Sequence, residues 1–112
     1  MSDCLIGKIV RGDIPSNKVY EDDTCLAFYD IDPQAPVHFL VIPKTHIPSC
    51  GEITPENSSL VSHLFEVISR VTKELDADGF RVVSNCGARA GQSVPHLHFH
   101  VLAGRDMTWP PG

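Results

Sequence analysis

Apolar positions recur along this chain at two different periods. Between residues 54 and 79, Leu60, Leu64, Ile68, Val71 and Leu75 follow one another at spacings of three and four. That is the period of a helix with one buried face, and Val61 and Phe65 widen the face. Thr54 is a good N-cap, Pro55 suits the first helical position, and residues 76–79, ending in Gly79, stop the run. A shorter helix is predicted over "SDCLIGKIVRG", where Ser2 or Asp3 can cap, Leu5, Ile6 and Ile9 share a face, and Gly12 can end it. Elsewhere the strands announce themselves by period and residue type. "KVYEDDTCLAFYD" predicts a hairpin turning at Glu21, Asp22 and Asp23, and "VHFLVIP" predicts a third strand closed by Pro43. "FRVVSN" predicts a fourth and "LHFHVLAG" a fifth. "IDPQAP" breaks regularity, and "CGARAGQS" is a glycine-rich loop. The order helix, three strands, long helix, two strands predicts an α+β fold with a mostly antiparallel sheet.

Composition narrows the class. The 112 residues are 42% hydrophobic and 21% charged, which suits one globular domain over 1–112 and leaves no room for two. A net charge of −5 argues against a nucleic-acid partner but leaves a nucleotide open, since local donors can hold its phosphates. No apolar run approaches the ~20 residues of a membrane helix, and "MSDCLIGKIV" lacks the apolar core of a signal peptide. Cys4, Cys25, Cys50 and Cys86 form no Cys-x-x-Cys pair. The expected setting is reducing and cytoplasmic, with a nuclear pool open to the protein in a eukaryotic cell.

The candidate chemistry lies in "SVPHLHFHVL". His96, His98 and His100 alternate with Leu97, Phe99 and Val101. On a strand the apolar set would enter the core and all three imidazoles would face the other way. Successive histidines would stand roughly 6.6 Å apart and the outer pair about 13 Å apart. Two of them could share one zinc; three along a straight strand could not. Solvated histidines, a metal site and a nucleophile with helpers are the three readings. The preceding "NCGARAGQSVPH" offers backbone N–H groups and the Ser93 hydroxyl, a loop able to cradle a phosphate.

His96-Leu97-His98-Phe99-His100-Val101-Leu102 resembles the motif of the histidine triad (HIT) superfamily. The likeness extends through "GKIVRGDIPSNKVYEDD", "CLAFYDIDPQAPVHFLVIPKTHI" and "GQSVPHLHFHVLAGR". The terminal "MTWPPG" is similar to the Hint branch rather than the Fhit-like or transferase branches. The resemblance implies a HIT-like α+β fold, with a five-stranded antiparallel sheet, one short helix and one long helix. It also implies a homodimer with a ten-stranded sheet, in which the tail 105–112 lies over the active site or partner and Trp109 reaches across. The implied activity is that of a purine nucleoside phosphoramidase, which cleaves adenosine 5′-phosphoramidates and aminoacyl-adenylates.

Residue by residue, the resemblance makes His98 the nucleophile, held by the main-chain carbonyl of His96. His100 and Ser93 match contacts to the phosphate and leaving group, and His38 a proton relay behind them. Asn85, Gly91, Gln92, Ser93 and Val94 match nucleotide-contacting positions, with the N–H after Gln92 facing a phosphate oxygen. Asp30 matches the ribose-binding acid. Leu5, Ile6, Ile9, Ile14, Phe28 and Ile31 match an apolar purine slot that should separate AMP from GMP weakly. His46 and His63 are expected to take no part.

Two departures carry consequences. Cys4 and Gly7 stand where many bacterial relatives carry Cys-x-x-Cys and bind structural zinc. One thiolate is missing, so no metal and no cofactor are expected. Pro95 replaces an aromatic or other residue and fixes the angle at which the chain joins the strand. Alternatives are a metal-binding protein using two triad histidines, a nucleotide-binding module with vestigial catalysis, and a dinucleoside polyphosphate hydrolase, which "WPPG" disfavours.

Overall fold

Five strands form one antiparallel sheet in the order β1-β2-β3-β5-β4. The computed structural model describes residues 5–12 and 15–112 and leaves out the side chains of Leu5 and Arg11. The expected caps Ser2 and Asp3, together with Cys4, Ile14 and the Leu5 side chain, lie outside the described residues. The elements are α1 (Leu5–Arg11), β1 (Lys18–Glu21), β2 (Cys25–Tyr29), β3 (Val37–Pro43), α2 (Ser58–Glu74), β4 (Phe80–Val83) and β5 (Phe99–Ala103). The predicted five-stranded antiparallel sheet with one short and one long helix is therefore observed.

Alternation along the strands divides the core in two. Residues directly opposite one another share a face, and Phe39 opposes both Tyr29 and Val101 while Val41 opposes Ala27 and Phe99. This face packs against Leu64, Val67, Ile68 and Val71 of α2. On the other face Leu40 opposes Phe28 and His100, and Ile42 opposes Leu26. Ile6, Ile9 and Val10 of α1 cover part of that second face. A short helix covers only part of a sheet face, and a cleft remains beside it.

The long helix starts later than the Thr54 cap suggests. Thr54 to Asn57 form a turn in which Thr54 O accepts from Asn57 N at 3.1 Å and Ser58 N at 2.9 Å. Asn57 is the reason. Its Oδ1 accepts from Thr54 N at 2.7 Å and its Nδ2 donates to Glu52 O at 3.1 Å. An amide side chain that bonds local backbone competes with helix. Phe65 also departs from the predicted buried face: it is 46% exposed, touching Phe99 edge-on at 5.1 Å. The buried turn positions are Val67 and Thr72 instead, the latter donating its hydroxyl to Ile68 O at 2.7 Å. The predicted stop holds: Asp76 has a φ of 57° just past the helix end.

Gly104 closes β5 against the proline turn before β3. Its φ is +92° and an added Cβ would stand 2.9 Å from Pro36 Cβ. Gly104→Ala is expected to cost about 1–3 kcal/mol through combined backbone strain and overlap. Urea denaturation should show a lowered midpoint at unchanged slope; an unchanged midpoint would contradict the strain.

Candidate active site

Pro95 breaks the segment that the alternation suggested was one strand. Only Phe99–Ala103 pair as β5. Upstream, His96 N donates to Val94 O at 2.9 Å and Leu97 N to Ile47 O at 2.6 Å. The three histidines therefore do not share a face, contrary to the expectation from strict alternation. His96 is 1% exposed and donates from Nε2 to Pro43 O at 2.8 Å. The His98 and His100 ring centroids lie 5.1 Å apart, edge to face.

His98 and His100 open onto a cleft of about 930 Å³. Its apolar end is built by Ile6, Ile9, Phe28, Leu40 and Val94, with Ile31 at the rim, 97% exposed. Its polar end holds Asp30, Asn85, Gly91 and Ser93 beside the two histidines. Among the described residues, no lysine or arginine lines the cleft. Sequence reasoning missed Leu40, although it stands two residues from His38 on β3 and so shares its face. It also missed Pro15, Ser16, Asn17 and Tyr29, which line the cleft without any periodic signal.

Hydrogen bonds assign the tautomers. His98 Nδ1 lies 2.7 Å from the His96 carbonyl. A carbonyl only accepts, so Nδ1 carries the proton and Nε2 keeps its lone pair. Behind it, His38 Nδ1 accepts from Gln34 N at 3.0 Å. His38 Nε2 must then carry its proton, and it donates to His100 Nδ1 at 2.9 Å. His100 accepts at Nδ1 and so presents N–H at Nε2. The backbone of Gln34 thus sets the direction of a hydrogen-bonded path through the two histidines.

Asp30 belongs to that path as well as to the cleft. Its Oδ1 accepts from Asp32 N at 2.8 Å, and its Oδ2 lies 3.4 Å from His38 Nε2 and 3.8 Å from His100 Nδ1. These three groups could hold a cation by proximity, with ligand atoms within 4.8 Å of one another. The bond from Gln34 opposes it. A neutral His38 bound to metal through Nε2 would carry Nδ1–H, facing another donor. The arrangement suits a proton relay better than a cation, and the two-triad-histidine metal reading also loses His96, which is turned away.

Burial controls the charge of these rings. Desolvation, helped by the positive fields of His98 and His38 and opposed by Asp30, pushes His100 down to about 4. Burial likewise lowers His38, against the pull of Asp30 and Asp32. It lowers His96, against the hydrogen bond to Pro43. All three are neutral at pH 7. The unfolded chain takes up a proton on His100 near pH 6.5, whereas the folded chain waits until about 4. Stability is therefore lost as pH falls through that window. His63 acts in the opposite sense, because its bond to Asp22 raises it. Comparing wild type with His100→Asn isolates the His100 part: the wild type should lose about 1–2 kcal/mol more than the variant between pH 7 and 5. Equal losses in chemical denaturation would contradict the assignment.

Other expected residues take distinct places. Gln92 is not among the cleft-lining residues. Its Oε1 accepts from Gly87 N at 2.8 Å and its Nε2 donates to Pro48 O at 2.8 Å and Val94 O at 3.0 Å. It straps the glycine loop rather than facing the cleft. Trp109 is 81% exposed and does not line the cleft of its own chain. His46, expected to be idle, stands against His96 with Nδ1 atoms 3.4 Å apart. His63 bonds Asp22 at 2.6 Å and ties α2 to the β1–β2 turn. No sequence spacing could pair either, since each partner is some forty to fifty positions away.

An α+β sheet carrying hydrogen-bonded histidines at the mouth of an apolar cleft defines a histidine-based, hydrolase-like fold. Residues 11–107 match the HIT domain, and the chain belongs to the HIT family. It is 50% identical to an uncharacterized HIT-like protein of Synechocystis over 111 residues, 98% of this chain and 97% of that one. A histidine triad protein from Clostridium difficile, at 49% identity, superposes with a TM-score of 0.92 over 96% of both chains. A HIT family hydrolase from Legionella pneumophila, at 43% identity, gives 0.94 over 98% of this chain and 100% of that one. Among the described residues no helix is long and apolar enough to cross a membrane.

Proposed function

We propose that this chain is a purine nucleoside phosphoramidase of the Hint branch, a single HIT domain over residues 1–112 that needs no metal or cofactor. The observation that carries the reading is the 2.7 Å bond from His98 Nδ1 to the His96 carbonyl, which leaves the Nε2 lone pair for attack at phosphorus. A neutral imidazole is a good nucleophile at pH 7. His98 Nε2 forms a bond to the α-phosphorus of an adenosine 5′-phosphoramidate, the P–N bond breaks, and the amine departs with a proton. Water then cleaves the nucleotidyl-histidine to AMP and restores His98.

The His38–His100 path is suited to supplying that proton and to steadying the phosphate, with Ser93 as a further donor. The polar lining of Asn85, Ser93 and backbone N–H groups is suited to holding the phosphate by hydrogen bonds. Asp30 remains the acid placed to accept from ribose hydroxyls. The apolar end offers stacking area to a purine and few polar reporters, so AMP and GMP should bind alike. Aminoacyl-adenylates present the same phosphorus and fit the same chemistry. A homodimer with a ten-stranded sheet and Trp109 reaching the partner completes this reading, as does a cytoplasmic location.

Release of AMP and free amine from adenosine 5′-phosphoramidate, followed by chromatography, tests the reading. Quenching the first turnovers in alkaline denaturant, where a bond from phosphorus to imidazole nitrogen survives, should trap AMP on His98. Absence of both turnover and adduct would overturn the activity and leave a nucleotide-binding module.

A further inference from the structure

One group of nucleophilic side chains has no part in the chemistry above. Cys86 follows the cleft residue Asn85 at the start of the glycine loop and is exposed. The β3–α2 connection brings Ser49, Cys50 and Gly51 against it. Cys86 Sγ donates to Ser49 Oγ at 3.5 Å, and the neighbouring Cys50 and Gly51 lower the proton affinity of this sulfur. Ser49 is buried and caps the turn Cys50–Glu52, accepting from Gly51 N at 3.2 Å. Glycine at 51 leaves the room: an added Cβ would stand 2.9 Å from Cys86 Sγ. Gln92 holds the two loops together through Gly87 N and Pro48 O.

We propose that Cys86 and Cys50 form a peroxide-responsive thiol pair, in which Cys86 is oxidised first and Cys50 resolves it to a disulfide. The Cys86 thiolate attacks one oxygen of a hydroperoxide. An S–O bond forms, the O–O bond breaks, and the departing oxygen takes a proton to leave as water or an alcohol. Cys50 sulfur then attacks the Cys86 sulfenic acid. The S–S bond forms, the S–O bond breaks, and hydroxide leaves as water with the Cys50 proton. The two sulfurs give up two electrons, which reduce the peroxide. A thiol reductant restores the pair by exchange.

The surroundings select Cys86 over the other described cysteines. Once deprotonated, it can accept from the Ser49 hydroxyl, the Gly51 N–H and Cys50, which together hold its thiol below the usual range against burial and the field of Glu52. Cys25 is fully buried, and burial followed by the nearby Asp22 pushes its thiol up to about 12. A thiolate that is exposed and has a second thiol beside it is the arrangement that oxidants attack and that resolves without a partner.

The full-length chain treated with one equivalent of hydrogen peroxide tests this, with intact mass and peptide mapping as readouts. Wild type should lose about 2 Da and yield a peptide crosslinked between Cys50 and Cys86. Cys50→Ser should stop at a sulfenic acid on Cys86 that dimedone captures, and Cys86→Ser should give neither crosslink nor adduct. Iodoacetamide should modify Cys86 at least about ten-fold faster than Cys25 or Cys50. First oxidation at Cys4, Cys25 or Cys50, a disulfide between other residues, or no adduct in Cys50→Ser would overturn the pair. These readouts do not depend on any phosphoramidase activity.

Discussion

His98→Ala is expected to lower kcat for adenosine phosphoramidate hydrolysis by about 10⁴-fold or more, while AMP still binds within about three-fold of wild type. The asymmetry follows from the geometry. The imidazole forms the bond to phosphorus in the proposed mechanism, so its removal takes away the covalent route. Binding rests largely on other groups: the apolar end formed by Ile6, Phe28 and Leu40, and the polar residues Asp30, Asn85 and Ser93. Single-turnover kinetics together with equilibrium AMP titration separate the two effects. His98 is half-buried and makes one backbone bond, so the folded state should survive its truncation, and circular dichroism checks this. Activity within ten-fold of wild type would remove His98 from the nucleophile's role. A parallel loss of AMP affinity by orders of magnitude would instead mean that the ring's main part is binding.

Phe39→Ala should produce the largest loss of stability, about 3–5 kcal/mol. Phe39 is fully buried in the third strand. Tyr29 opposes it on one side and Val101 on the other, and the cluster it belongs to includes Leu64, Val67, Ile68 and Val71 of the long helix. Truncation removes the transfer energy of an aromatic ring and leaves a cavity that the sheet backbone can only partly close. A domain of this size is held by about 5–15 kcal/mol in all, so much of the margin goes. Urea denaturation should show the drop, with Phe39→Leu retaining most of the stability. A loss under about 1 kcal/mol would mean that the core collapses freely around the site. His38 precedes Phe39 on the same strand, so residual activity in the folded Phe39→Ala protein also reports how firmly the relay is held.

Much of this fold was legible in the sequence because period is a local property. Leu64, Ile68 and Val71 at helical spacing identify the long helix, and the β-branched and aromatic residues of "VHFLVIP" identify the central strand. Boundaries were less legible. The start of the helix depended on Asn57, whose side chain bonds Thr54 and Glu52 and holds a turn where Thr54 and Pro55 suggested a helix. Phe65 carried the helical period yet ends half in solvent, because periodicity names a face without saying how wide its cover is.

The histidine segment shows the same division at the candidate site. The sequence by itself determined that three imidazoles lie close together, that a glycine loop precedes them, and that the chain resembles the HIT family. Tertiary structure decided where each ring points and what it bonds. The turn at Pro95 and the bond from Leu97 N to Ile47 O rotate His96 into the core. The His96 carbonyl, already implied by the motif, keeps the proton of His98 on Nδ1, whereas Gln34 N, outside the motif, fixes the tautomers of His38 and His100. The meeting of Cys86 with Ser49 and Cys50 depends in the same way on two loops some thirty-five positions apart. Periodicity and motif are written in consecutive residues. Burial and the contacts between His38 and His100, His96 and Pro43, and Cys86 and Ser49 are set by groups that folding brings together from distant segments.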